Sequence, residues 1–276
     1  MEISVSTDKM VIEYRDVPIG FFKGWCMRLM LNGRYRVRRT EYRKIYAYQM
    51  HLRLGKSVYL HVFYRNFRET DGGLYTFRLE TRPEHFQQFT DLLSELRYVA
   101  SGIDFVSCDV AYDVPYALGD VFVAPNDIRR KLRKYNDTRY FGLPHQRKQN
   151  GYCRVYDKAQ ELLKRHGMEY TGNLTRIEMV YKPEIRTPLM DMFTYPPDQN
   201  RHYFASVVED WSAFTAKQAE RIRNWQRGEE TYTRHVRESI KKTLAESSID
   251  FNRLASEQWK EILEHPIAAI LGHNAA

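Results

Sequence analysis

Three stretches of this chain alternate with a period of two, and that pattern constrains the fold more than any other feature. Side chains of a β-strand point in turn to its two faces. In Gly151-Tyr152-Cys153-Arg154-Val155-Tyr156-Asp157-Lys158, the residues Tyr152, Arg154, Tyr156 and Lys158 share one face, and Cys153 and Val155 take the other. Along Ser107 to Asp113, Asp109, Ala111 and Asp113 lie opposite Cys108, Val110 and Tyr112. Along Arg176 to Val180, Arg176 and Glu178 lie opposite Ile177 and Met179. Each strand therefore buries one side and presents acids, a tyrosine or cations on the other.

The presented residue types point to a chemistry. A phenol flanked by a guanidinium and an ammonium suits attack on a phosphodiester. The cations hold the phosphate, neutralise developing charge and favour the phenolate, which is otherwise scarce because the free pKa is about 10. Carboxylates are poor strand formers, and a few of them together suit a hard cation such as Mg²⁺ or Mn²⁺. Asp109, Asp113 and Glu178 are thus candidate metal ligands, with Arg154, Lys158 and Arg176 as candidate phosphate-stabilising cations. The same residues also suit plain cross-strand salt bridging or a solvated sheet face. Geometry leaves Tyr156, Tyr152 and Tyr140 as candidate nucleophiles. Tyr156 has cations two positions away on both sides and adjoins a helix start, where the local dipole favours an anion.

Other chemistries find no support. Gly55-Lys56-Ser57 is not a P-loop, because Met50 stands where a glycine is required. No nucleophile elbow is present, and the histidines show no His-apolar-His pair; His85 is expected at the surface. The three cysteines, at 26, 108 and 153, are too few and scattered for a disulfide framework or a zinc site, which points to a reducing, cytoplasmic location. No signal peptide or long apolar run argues for a membrane. The net charge of +8 fits a polyanionic partner, and twenty tyrosines supply stacking surfaces for bases.

Along the chain, the first eighty residues read as strands. Trp25 to Leu31 and Arg34 to Arg39 flank Asn32-Gly33, a hairpin signal, and Arg34, Arg36 and Arg38 form a basic ribbon. Tyr46 to Leu54 pairs with Ser57 to Tyr64, and Asp71-Gly72-Gly73 turns into Leu74 to Glu80. Thr81-Arg82-Pro83-Glu84 reads as a capping box opening a core-facing helix over 82–98. After Pro125-Asn126-Asp127, a short helix is expected to carry Arg129, Arg130, Lys131, Arg133 and Lys134, a second candidate for DNA backbone contact. A helix runs from Asp157 to a stop at Gly167. Pro188, Pro196 and Pro197 mark a break. Beyond them an all-helical tail is expected: a long helix from Val207 to Trp225 interrupted at Gly228, then 229–246 and 252–264 before Pro266, with the residues from Gly272 onward fraying.

A resemblance enters on these residues. Thr138-Arg139-Tyr140-Phe141-Gly142, a polar gap, then Cys153-Arg154-Val155-Tyr156-Asp157-Lys158 and Glu161 resemble the "T-x-Y-F-G … R-I-Y-N/D-K … E" core of the Rep_trans group. These are rolling-circle plasmid replication initiators of the staphylococcal type and related conjugative-element relaxases. Cys108 to Asp113 resembles the group's upstream "R-x-D-x-A-x-D" strand, and Thr175-Arg176-Ile177-Glu178 its downstream "R-I-E" strand. The likeness covers about the middle third of the chain. Ser107 stands where the group often has Arg, and Leu143 to Asn150 lacks the usual Ser. The resemblance places the active tyrosine at Tyr156 and implies a homodimer and a superfamily-1 helicase partner.

The expectation is an α+β fold: a mixed, mostly antiparallel sheet with packed helices, in a nicking and joining domain over 1–196, then a helical region over 197–276 for DNA recognition or dimerisation. The expected activity is metal-dependent nicking and rejoining of origin DNA, double-stranded with an exposed single-stranded nick site, through a 5′-phosphotyrosine. A conjugative relaxase of the same chemistry, or a DNA-binding regulator without catalysis, are the alternatives.

Overall fold

Strands dominate the first half of the chain. The computed structural model describes residues 2–39, 45–70 and 72–272. In order, β1 (Ser4–Pro18) leads into α1 (Ile19–Asn32), followed by β2 (Arg36–Arg39), β3 (Tyr46–Leu54), β4 (Val58–Asn66) and β5 (Leu74–Thr81). A 3₁₀ segment, Pro83–Phe89, precedes α2 (Thr90–Val99), and then come β6 (Ile103–Val114), β7 (Val121–Pro125), β8 (Leu132–Tyr135) and β9 (Thr138–Phe141). The site region follows with β10 (Cys153–Asp157), α3 (Lys158–His166) and β11 (Thr175–Tyr181). The chain ends with β12 (Thr187–Pro188), β13 (Tyr203–Val207), α4 (Ala216–Arg227), α5 (Arg234–Thr243) and α6 (Phe251–Leu271). The fold is α+β, and its ladders β1–β5, β3–β4, β9–β10 and β10–β11 are antiparallel.

Two compact units are assembled from interleaved segments. One takes residues 7–109, 182–195 and 259–276, and the other 1–6, 110–181 and 196–258. The chain thus changes unit at residues 195–196, beside the expected proline break, but residues 196–276 divide between both units.

In the unit built on residues 7–109 the strand order is β2-β3-β4-β5-β1-β6. Helix α1 buries Phe22, Trp25 and Leu29, with Phe22 stacked on Tyr64 at 4.0 Å and Trp25 edge-on to Phe77 at 5.1 Å. The expected strand over Trp25 to Leu31 is therefore a helix. Its buried residues recur at helical spacing, and Gly33 at φ 66 is the left-handed cap that ends it, not a hairpin residue. The helix expected over 82–98 begins as 3₁₀ and becomes α-helical only at Thr90. Thr81 does not cap it, because its hydroxyl donates to the Tyr59 carbonyl. His85 is buried at 7% exposure rather than at the surface, its Nδ1 accepting the Tyr59 N–H at 3.4 Å. Asp71, the first residue of the expected turn, and residues 273–276 of the tail lie outside the described residues.

In the other unit the order is β6-β11-β10-β9-β8, with β13 and β7 paired separately. Phe122, Ala124, Val208, Ile222, Ile240 and Leu244 form a core joining β7 to α4 and α5. Thr215 and Gln218 cap α4 reciprocally, and Gly228 at φ 69 ends it. The tail is not all-helical: Val207 ends β13, which pairs with β7 in register Val207↔Val121. Pro266 does not stop the last helix, which continues through it to Leu271.

Candidate active site

The candidate site is written across three antiparallel ladders. Arg133 faces Tyr140 on β8–β9, Tyr140 faces Arg154 on β9–β10, and Arg154 faces Glu178 on β10–β11. These four residues make one cross-strand row on one face. Two residues along the same face, Tyr156 stands opposite Arg176. The other face carries Cys153, Val155, Ile177 and Met179, all wholly buried, with Arg139 of β9 opposite Val155. Both free thiols of this region, Cys108 and Cys153, are pushed far up by burial, so neither supplies a thiolate.

Charges on the presented face are matched in pairs. Glu178, with its side chain 2% exposed, is ion-paired to the Arg154 guanidinium, which is 39% exposed. The Tyr156 hydroxyl donates to the same carboxylate, at 3.4 Å to Oε2. Arg176 grips Asp113 with both arms of its fork, Nε to Oδ1 at 2.7 Å and Nη2 to Oδ2 at 2.6 Å. Lys158 is the first residue of α3 rather than the last of the strand, and its ammonium pairs with Glu161 at 2.7 Å. Burial raises the Glu161 carboxyl, but Lys158, Arg165 and Arg176 outweigh it and hold the group below its ordinary value. Asp157 caps α3 by accepting the Gln160 N–H at 2.8 Å. Tyr156 therefore sits one residue before the cap.

Asp109 lies on β6, four residues before Asp113 and half-buried. Among the described residues no three of His, Cys, Asp and Glu are grouped to hold a metal ion. Arg154 and Arg176 occupy the Glu178 and Asp113 carboxylates, so a divalent ion would have to displace a guanidinium.

The remaining tyrosine candidates differ in setting. Tyr140 is half-buried in the row between Arg133 and Arg154. Tyr152 precedes β10 and is buried at 7% exposure, its ring against Gly142, where a Cβ would lie 2.9 Å from it. With φ at 125°, that position favours glycine. Beside this row opens a cleft of about 250 Å³ lined by Arg133, Tyr135, Tyr140, Arg147 and Tyr152. Tyr135 and Arg147 had no sequence signal, since each is an isolated residue in a polar stretch. Glu161 was visible only as a motif position.

Residues 129–134 are not a helix. A turn carries Asp127 to Arg130, and β8 begins at Leu132 and hairpins into β9 through Asn136 at φ 49. Arg129 is tied to Asp127 at 3.0 Å. Arg130 is half-buried, bonded to the Tyr203 hydroxyl at 3.0 Å and the Asn150 carbonyl at 3.1 Å. Lys131, Arg133 and Lys134 are exposed. In the other unit, Arg34 lies outside β2 and pairs with Asp91 at 3.1 Å. Arg36 and Arg38 are exposed on β2, opposite Arg53 and His51. Burial, then Arg53 and Arg38, lower the His51 pKa, which marks that face as electropositive.

What fold and face define is an α+β sheet protein presenting a tyrosine framed by arginine–carboxylate pairs. No family model matches the chain, and no curated protein matches it. Among solved structures it is similar to a rolling circle replication initiator protein from Geobacillus stearothermophilus, 14% identical over 66% of this chain and 76% of that chain, with a TM-score of 0.38. No helix among the described residues is long and apolar enough to cross a membrane.

Proposed function

We propose that this chain is a site-specific DNA nicking and joining protein, an initiator of plasmid rolling-circle replication, with Tyr156 as nucleophile. One observation carries the reading: the Tyr156 hydroxyl donates to a buried carboxylate, Glu178, on a sheet face that also presents Arg154 and Arg176. In this reading the Tyr156 oxygen attacks the scissile phosphorus and its proton passes to Glu178. The Tyr–O–P bond forms as the P–O3′ bond breaks, and the departing O3′ takes a proton from water while Glu178 returns its own to solvent, leaving a free 3′-OH and a 5′-phosphotyrosine. Arg154, Arg176 and Lys158 would stabilise the extra charge of the pentacoordinate state. The covalent link conserves the phosphodiester, so the reverse attack rejoins the strand.

Mg²⁺ or Mn²⁺ belongs to this proposal, with Asp109, Asp113 and Glu178 as oxygen ligands that Arg154 and Arg176 would release. A bound ion would polarise the phosphate. Origin DNA as substrate, Arg36, Arg38, Lys131 and Arg133 as backbone contacts, a homodimer and a superfamily-1 helicase partner complete the reading. The test is a suicide oligonucleotide carrying the origin of the encoding element, with and without Mn²⁺. Parent protein should give a covalent adduct whose nucleotide-bearing peptide contains Tyr156, and Tyr156→Phe should bind the oligonucleotide but give none. An adduct on Tyr152 or Tyr140, or full activity in Tyr156→Phe, refutes the assignment.

A further inference from the structure

Alternation turns Arg139 to the face of β9 opposite Tyr140, and there it is buried at 5% exposure. Among the described residues its guanidinium meets no carboxylate. Nη2 donates to the Leu118 and Val121 carbonyls at 2.7 and 3.1 Å, while Nη1 has no partner at all. Its register partner on β8 is Lys134, so two cations stand directly across a ladder, where like charges repel. Burial pushes the Arg139 pKa down to about 10, which leaves it fully charged at neutral pH.

These residues form part of the wall of a cavity of about 540 Å³, together with Asp120, Asp137, Trp211, Arg223, Gln226 and Arg227. The Arg223 guanidinium lies 4.2 Å over the Trp211 ring, which positions it. Trp211 Nε1 donates to Asp120 at 2.8 Å, so that carboxylate is engaged. Gln226 binds the carbonyls of Leu118, Gly119 and Val121. Pinning this loop therefore needs no charge, because a neutral amide beside Arg139 already performs it. A buried guanidinium with a spare donor thus meets no acid directly, and the wall holds four cations, Lys134, Arg139, Arg223 and Arg227, against two acids, Asp120 and Asp137, with Arg227 also 3.9 Å from Glu229.

We propose that this cavity is a phosphate-binding site that takes a phosphodiester of a nucleic-acid strand. Guanidinium forks match phosphate oxygens in pairs, and the cavity lies on the opposite face of β9 from the row containing Arg154. It is a binding site separate from strand cleavage, and its standing does not depend on Tyr156.

The test titrates the full chain with a single-stranded oligonucleotide, its duplex, a mononucleotide and inorganic phosphate, reading tryptophan fluorescence across a salt series. Binding of a strand should change the Trp211 emission. Arg223→Ala with Arg227→Ala should abolish that change, weaken strand binding about ten-fold and reduce the salt slope by about 0.9 per lost duplex contact or about 0.7 per lost single-strand contact. Arg139→Gln should act in the same direction and Arg139→Lys should restore part of the affinity; if Arg139→Gln does not fold, the helix pair decides. Tyr156→Phe should leave the fluorescence change intact, which separates this site from the cleavage reading. A response to mononucleotide or free phosphate equal to that for a strand overturns the strand assignment. Unchanged affinity and slope in the folded Arg223→Ala, Arg227→Ala protein overturns the site.

Discussion

Removing either partner of the Arg154–Glu178 pair should destabilise the protein unequally, because the two ends are buried unequally. Arg154 is 39% exposed, so after Glu178→Gln its charge is hydrated in place and the amide still accepts from Tyr156. That change should cost about 1 kcal/mol. Arg154→Met leaves a carboxylate at 2% exposure with the Tyr156 hydroxyl beside it, and the expected cost is about 3 kcal/mol. With a urea slope of roughly 2 kcal/mol per molar, the midpoints should fall by about 0.5 M and about 1.5 M. A stranded Glu178 would also have its folded pKa raised above the unfolded value. The Arg154→Met penalty should therefore be full at high pH and shrink as pH falls through that raised pKa. Urea denaturation followed by circular dichroism at pH 5 and pH 8 measures both effects. Equal losses in the two variants, or a penalty that does not change with pH, would refute the argument from burial.

Other outcomes follow from particular groups. Burial, with Arg130 and Arg201, pushes His202 down to about 4 from 6.5. The unfolded chain then binds more protons between these values, so stability is complete above about pH 6.5 and falls as pH drops toward 4. His202→Gln should flatten that slope by about 1 kcal/mol, after discounting for a half-exposed ring. Gly151 has φ 74, and a Cβ there would lie 2.6 Å from Arg130 Nη1 and 2.7 Å from His202 Cγ. Gly151→Ala should lower stability by about 1–3 kcal/mol in the same urea assay. Exchanging Arg36 and Arg38 for Ala should weaken binding to all DNA sequences and reduce the salt slope by about 0.9 per lost phosphate contact; an unchanged slope returns β2 to a solvated edge.

By itself, the sequence determined which strands exist around the site and which face each side chain takes. Alternation at 107–113, 151–158 and 176–180 puts Cys153, Val155, Ile177 and Met179 on one face and Arg154, Tyr156, Arg176 and Glu178 on the other because the pleat has a period of two, although packing buries Arg176 and Glu178 as well. Asp157 and Gly167 bracket α3 for equally local reasons: a side-chain acceptor for a free N–H, and a residue at ease with φ 65. Local pattern failed where a long-range partner decided the outcome. Trp25 is helical because its spacing with Phe22 and Leu29 buries all three, and Val207 is in a strand because β7 lies beside it. The basic run at 129–134 divides between a turn and β8 because β9 is there to pair with it. Only the tertiary structure set Glu178 against Arg154, Asp113 against Arg176 and Arg139 in a cavity where its guanidinium meets no carboxylate. Those pairings depend on register between strands distant in sequence, and register is fixed by burial of whole faces rather than by neighbouring residues.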